Sequence, residues 1–232
     1  LIRVAQCIQF DPEGEEGAHR KLSYHLPWNF LTSMQVMEYD RSFLASRILL
    51  AGFNGNLLIS GAFGLFKKSV VIAAGGYATD VLGEDMELVA KLHAYCRNNM
   101  ERYSIRYEPN AVCWSQAPST LPDLFKQRRR WHIGLFQCIT RYRFMFMKSR
   151  FGMVGTASYL YYLLYELYSP IIEVIGLAVT VAAALVGLLN VKFMLQFYLL
   201  FAIYSAILTI TAFFQRIYTQ SIHISRGDVF RA

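Results

Sequence analysis

Apolar and polar positions change their period several times along the chain, and the last change divides it in two. Ile2, Val4 and Ile8 alternate with other residues, which predicts a buried strand over 2–10. The acidic run from Asp11 to Gly17, with Pro12, Gly14 and Gly17, reads as a solvated loop. Apolar residues then recur at helical spacing over 34–50, with Gln35, Glu38 and Arg41 on the other face. Leu57, Leu58 and Ile59 form a short apolar run that predicts a buried strand, a bend at Ser60-Gly61 and a second extended piece over 63–66. Gly75-Gly76 closes a short helix or turn. Gly83-Glu84-Asp85 opens the clearest helix, whose inner stripe is Met86, Val89, Ala90, Leu92 and His93. Residues 103–114 read as a strand, a turn at Pro109-Asn110 and a second strand. A loop over 118–123 offers Thr120 or Asp123 as the cap of a further helix. Strands alternating with helices predict an α/β layer fold for this half.

Beyond residue 131 the pattern changes character. Arg141, Arg143, Lys148 and Arg150 stand among Phe136, Phe144, Phe146 and Met147, the mixture of a helix lying in a membrane interface. Residues 159–168 are aromatic and apolar around Glu166, and are expected to run along or into the membrane and bend at Pro170. Residues 171–189 are apolar apart from Glu173, and 193–214 carry no charge. Each is long enough to cross a hydrocarbon core of roughly 30 Å. The short link Asn190-Val191-Lys192 makes them a transmembrane hairpin, and the more basic flanks place both its ends in the cytoplasm. The expected divisions are 1–131, soluble; 132–170, interfacial; 171–214, transmembrane; and 215–232, a further cytoplasmic segment.

Charge and composition agree with a protein integral to a membrane. Only 17% of the 232 residues are charged while 55% are hydrophobic. The net charge of +7 comes with no nucleic-acid motif, so the positive-inside rule explains it better than a nucleic-acid partner does. Cys7, Cys96, Cys113 and Cys138 are scattered without metal-ligand spacing and read as reduced cysteines. The chain begins at Leu1, which suggests a fragment of a longer protein.

Candidate chemistry gathers in a few places. Glu84 and Asp85 lie in a first helical turn, where free N–H groups and the helix dipole favour carboxylates and keep them ionised. Being adjacent they diverge, which leaves one free to face a cleft as a base while the other caps or positions. Ser60 and Gly61 are small enough to admit a ligand close to the backbone, or simply to allow close packing. On a helix, Gln127, Arg130 and Trp131 share one face while Arg128 and Arg129 point elsewhere. That face presents an amide, a fork that fits phosphate oxygens and an indole that stacks on flat surfaces. The competing reading is a basic helix touching anionic lipid headgroups. Glu166 and Glu173, seven apart, would face protein or a polar path, or snorkel to the headgroups.

Taken together, Ser60-Gly61 with Phe66-Lys67-Lys68, Gly75-Gly76-Tyr77, Gly83-Glu84-Asp85 and Gln127-x-x-Arg130-Trp131 resemble the membrane-bound family 2 glycosyltransferases. That group includes cellulose, hyaluronan and poly-N-acetylglucosamine synthases. The motifs cover residues 55–135, and the Glu-Asp pair precedes the Gln-x-x-Arg-Trp cluster by about forty residues. The resemblance implies the C-terminal part of a GT-A-type α/β domain followed by transmembrane helices. It implies inverting transfer from a nucleotide-diphosphate sugar, a UDP-sugar, to a growing β-linked polysaccharide. Asp85 would then be the general base, Arg130 would contact the diphosphate, Trp131 would stack on the acceptor, and Ser60-Gly61 would lie near the acceptor. Glu84 and Gln127 complete the expected substrate-binding set. The membrane helices would form a path for the polymer, which Glu166 and Glu173 would face.

Two departures qualify the match. The family commonly has Thr before Glu-Asp, where this chain has Gly83. No Asp-x-Asp precedes the motifs, so the ligands of the implied Mg²⁺ or Mn²⁺ are expected upstream, with none in this stretch. Two other functions fit the same pattern: single addition of a sugar to a lipid-linked acceptor, and a non-catalytic membrane scaffold.

Overall fold

The computed structural model describes residues 2–7, 28–61 and 64–220. Its elements in order are strand β1 (Ile2–Cys7), helices α1 (Phe30–Arg41), α2 (Arg47–Ala51), α3 (Lys68–Ala73) and α4 (Glu84–Asn98), strand β2 (Tyr107–Ser115), and helices α5 (Leu121–Arg141), α6 (Ser169–Leu185) and α7 (Val191–Gln220). The expected acidic loop over 11–17 and the last segment, beyond 220, lie outside the described residues.

The described residues are mainly helical. Their sheet consists of β1 and β2, paired in parallel. β2 runs straight through Pro109-Asn110, where the sequence predicts a turn between two strands. A register irregularity takes up the difference: Ile2 pairs with Tyr107, but Val4 already pairs with Val112. A bulge of this kind accommodates a proline that has no N–H to donate.

Residues 57–59 are buried at Leu57 and Ile59, as predicted, but form no strand. Side chains take the carbonyls that a strand partner would have used. His93 Nε2 bonds the Asn56 carbonyl at 3.0 Å, and Arg47 donates to the Leu58 carbonyl at 3.3 Å. Because a carbonyl can only accept, Nε2 carries the proton, and Nδ1 accepts from the Tyr103 hydroxyl at 2.7 Å. Burial pushes the His93 pKa down from 6.5 to about 4. An unfolded chain therefore takes up a proton that the fold rejects. Stability is complete above pH 6.5 and is lost as pH falls toward 4, by about 3 kcal/mol. Unfolding followed against pH in detergent should show this slope, and His93→Gln should flatten it.

The core lies between α4 and α5. Met86, Ala90 and Ala94 pack with Cys138, Ile139, Tyr142, Met145 and Phe151. The predicted stripe on α4 is buried, and Gly75 and Gly76, both at positive φ, close α3. Thr120 caps α5 by accepting the Asp123 N–H at 3.4 Å. α5 passes residue 131 without a break, so the expected boundary falls inside a helix. The basic and aromatic stretch over 132–150 is accordingly the end of α5 followed by two short 3₁₀ turns. Cys138, Ile139, Tyr142, Met145 and Phe151 turn into the core, while Phe136, Phe144, Phe146 and Met147 stay exposed.

Residues 154–168 are largely π-helical and lead into α6 without a gap. Val154, Ser158, Tyr159, Tyr162 and Leu167 are buried against the core, which uses a stretch that its composition assigns to the membrane. Pro170 falls in the first turn of α6, where its missing N–H removes no essential bond. Val154–Leu185 and Val191–Ala212 are long and apolar enough to cross a membrane. The turn between them covers 186–190, a little earlier than predicted, and the Asn190 side chain accepts the Phe193 N–H. α7 packs on α1 and β2, with Arg41 donating to Ser205 at 3.2 Å.

Candidate active site

The site is built on the start of α4 and on the face of α5 that crosses it. Asp85, in the first turn of α4, is half-buried and uses both carboxylate oxygens. Oδ2 accepts the Gly61 N–H at 3.0 Å, and Oδ1 accepts the Met86 N–H at 2.8 Å. A Cβ on Gly61 would stand 3.2 Å from Oδ2, so a side chain at 61 would crowd this carboxylate. Ser60, half-buried, precedes it.

Burial raises the Asp85 pKa, and the neighbouring Glu84 charge adds to the rise; the Met86 and Gly61 N–H groups oppose it. A helix start alone would lower this pKa; here it moves the other way. Desolvation outweighs the N-terminal N–H groups, and the result is a stronger base. Glu84 is exposed. The two adjacent carboxylates thus diverge as predicted, with Asp85 turned toward the loop that carries Ser60-Gly61.

Gly83 and Gly134 join α5 to the segment that leads into α4. A Cβ on Gly134 would lie 2.8 Å from the Gly83 nitrogen, and one on Gly83 would lie 3.3 Å from the Gly134 Cα. The two backbones touch because neither carries a side chain. This contact accounts for glycine where the resembling enzymes commonly have threonine. Arg130 is one turn before Gly134 on the same face of α5, and Gln127 is a turn earlier again. Arg130 is exposed; Gln127 is half-buried with its amide oxygen buried and unbonded among the described residues.

Trp131 is 42% exposed. Its ring centroid lies 6.2 Å from that of Tyr39 on α1, and the Arg128 guanidinium sits 5.1 Å from it. Arg128 also forms a two-pronged ion pair with Glu38. The prediction that Arg128 points away from Trp131 is thus corrected: three residues apart on a helix, the two share a side. Glu38, Tyr39 and Gly134 were not singled out from sequence. Gly134 had a signal, since an interior helical glycine costs about 1 kcal/mol against alanine and needs a packing reason. Glu166 accepts from the Tyr161 hydroxyl at 3.1 Å and is half-buried, whereas Glu173 is exposed and bonded to Ser169.

Among the described residues, no group of three or more His, Cys, Asp or Glu side chains could hold a metal ion. They supply no ligand set for a divalent cation.

The model for the family described as "Glycosyl transferase family group 2" matches residues 18–216. The poly-beta-1,6-N-acetyl-D-glucosamine synthase of Staphylococcus aureus (strain COL) is 44% identical over 92 residues, 40% of this chain and 21% of that protein. The enzyme of that name from Staphylococcus epidermidis is 42% identical over 83 residues, 36% of this chain and 19% of the relative. These matches thus span about a fifth of each relative's length. No solved structure matches. With the family match covering most of its length, the chain belongs to glycosyl transferase family group 2.

Proposed function

We propose that this chain carries the acceptor side of an inverting glycosyltransferase that elongates a β-linked polysaccharide from a UDP-sugar. By likeness to the relatives' names, the sugar is N-acetylglucosamine. The observation that carries the reading is the setting of Asp85, a carboxylate of raised pKa in the first turn of α4, directly after the Gly83 backbone that packs against the Arg130 face of α5. The acceptor hydroxyl gives its proton to Asp85 as its oxygen bonds the anomeric carbon. The bond from that carbon to the diphosphate breaks, and the diphosphate leaves with the electron pair. Arg130, exposed one turn from the Gly83 contact, meets the developing charge with a planar fork. Trp131, packed beside Tyr39 and Arg128 and 42% exposed, stacks on the acceptor sugar. Ser60 and Gly61 border the acceptor, and Glu84 and Gln127 position the substrates. The resemblance implies a divalent cation on the diphosphate; since the described residues supply no ligand set, no step is assigned to it.

The soluble half is a GT-A-type region facing the cytoplasm, and α6 and α7 lie in the membrane. In support, Ile172, Val179, Leu185, Leu195 and Leu199 present large apolar side chains to the exterior, where lipid would cover them. Alkaline carbonate should leave the protein in the membrane pellet, and its release would contradict the placement.

Arg130→Lys keeps the charge but loses the fork, so it should lower kcat about tenfold or more with little change in stability. Arg128→Lys should act differently, by loosening Trp131 and weakening acceptor use. Steady-state kinetics on the whole protein separates the two. Equal losses at both positions would favour contact with lipid headgroups instead.

A further inference from the structure

The face of α5 that carries Gln127, Arg130 and Gly134 continues to Gln137 and Arg141, at steps of three and four residues. Each of the last three meets the segment before Asp85. Gly134 touches the Gly83 backbone. The Gln137 side-chain oxygen accepts the Leu82 N–H at 3.0 Å. Arg141 pairs with Asp80 through both guanidinium nitrogens and stands 3.7 Å from the buried Glu87, which also accepts from the Tyr142 hydroxyl at 2.8 Å. Residues 74–83 have no regular structure of their own. Their position relative to Arg130 is set by these attachments over two turns of α5.

We infer that Gln137 is a positioning residue for the transfer reaction, fixing the backbone three residues before Asp85 in register with Arg130. The inference rests on the reading of Asp85 as the base. Its chemistry is particular: one neutral amide oxygen accepts one backbone N–H, at an exposed place that contributes little to the core. Losing that bond loosens the lead-in to α4, so that the first turn carrying Asp85 shifts against α5 while the later turns of α4 stay anchored by their buried residues. A displacement of about 1 Å between base and leaving-group contact is enough to cost on the order of 100-fold in rate. Substrate binding to either side need not change.

The test uses the whole protein in membranes. Gln137→Met keeps length but removes the acceptor, and Gln137→Glu keeps an acceptor oxygen. Gln137→Met should lower kcat by ~10- to 100-fold, with the donor KM and the unfolding midpoint close to wild type. Gln137→Glu should recover most of that loss. Wild-type kcat in Gln137→Met overturns the inference. So does a lowered unfolding midpoint that accounts for the lost activity, or a Gln137→Glu variant as slow as Gln137→Met. Asp85→Asn, assayed in parallel, separates the two levels. If it is inactive while Gln137→Met is normal, the positioning role alone fails; if it is active, the reading of Asp85 fails and this inference falls with it.

Discussion

Asp85→Asn should reduce sugar transfer by ~10²–10⁴-fold, the usual contribution of a positioned base, while UDP-sugar binding survives. Size and shape are kept, and what is lost is an oxygen able to take a proton. The setting singles out Asp85 of the adjacent pair, because it faces the Ser60-Gly61 loop while Glu84 is exposed. It is half-buried, its pKa is raised by burial and by the Glu84 charge, and the Gly61 and Met86 N–H groups aim it. The acid limb of kcat/KM should accordingly lie above the ordinary value of 3.8. An asparagine amide can accept only one of the two N–H groups, so a stability loss of about 1 kcal/mol is expected, too small to explain the rate. Glu84→Gln, at an exposed position, should cost far less activity. Single-turnover transfer beside nucleotide titration distinguishes these outcomes, and near-normal transfer by Asp85→Asn would leave Asp85 as no more than part of a helix start.

Gly134→Ala should be the most damaging change away from the reacting groups. Its methyl would stand 2.8 Å from the Gly83 nitrogen and 3.0 Å from the Gly83 Cα, against backbone that has no rotamer to yield. Overpacking of this kind costs about 1–3 kcal/mol, and relief requires α5 to move off the segment that leads into α4. Stability and transfer should therefore fall together. Gly83→Thr, which installs the residue common in the resembling enzymes, should harm this protein for the same reason. The check is an unfolding midpoint and a transfer rate for each variant; a Gly134→Ala protein unchanged in both would mean that the seam is looser than described.

Much of the site was legible because local chemistry carries it. Gly83 and two carboxylates start α4, Thr120 caps α5, and the α4 stripe at Met86, Val89 and Leu92 is buried as its period requires. What was not legible depends on distant partners. No local signal says that Gly83 and Gly134, fifty-one residues apart in sequence, touch. Residues 57–59 have the composition of a strand, but His93 and Arg47 supply the donors that another strand would have given. Tyr159 and Tyr162 are as apolar as a membrane segment, yet the core claims them: Tyr159 donates to the Ile139 carbonyl at 2.7 Å, and Tyr162 is bonded to buried Arg47. Helical spacing separated Arg128 from the Gln127 face but overlooked its own neighbour three residues on, Trp131.

The most direct measurement is polymer synthesis by the whole protein in membranes, given labelled UDP-N-acetylglucosamine and Mg²⁺. Long β-linked polymer is expected, with one UDP released for each sugar added, and none of either from Asp85→Asn. Label found only in single additions to lipid, or polymer made equally well by Asp85→Asn, would contradict this expectation.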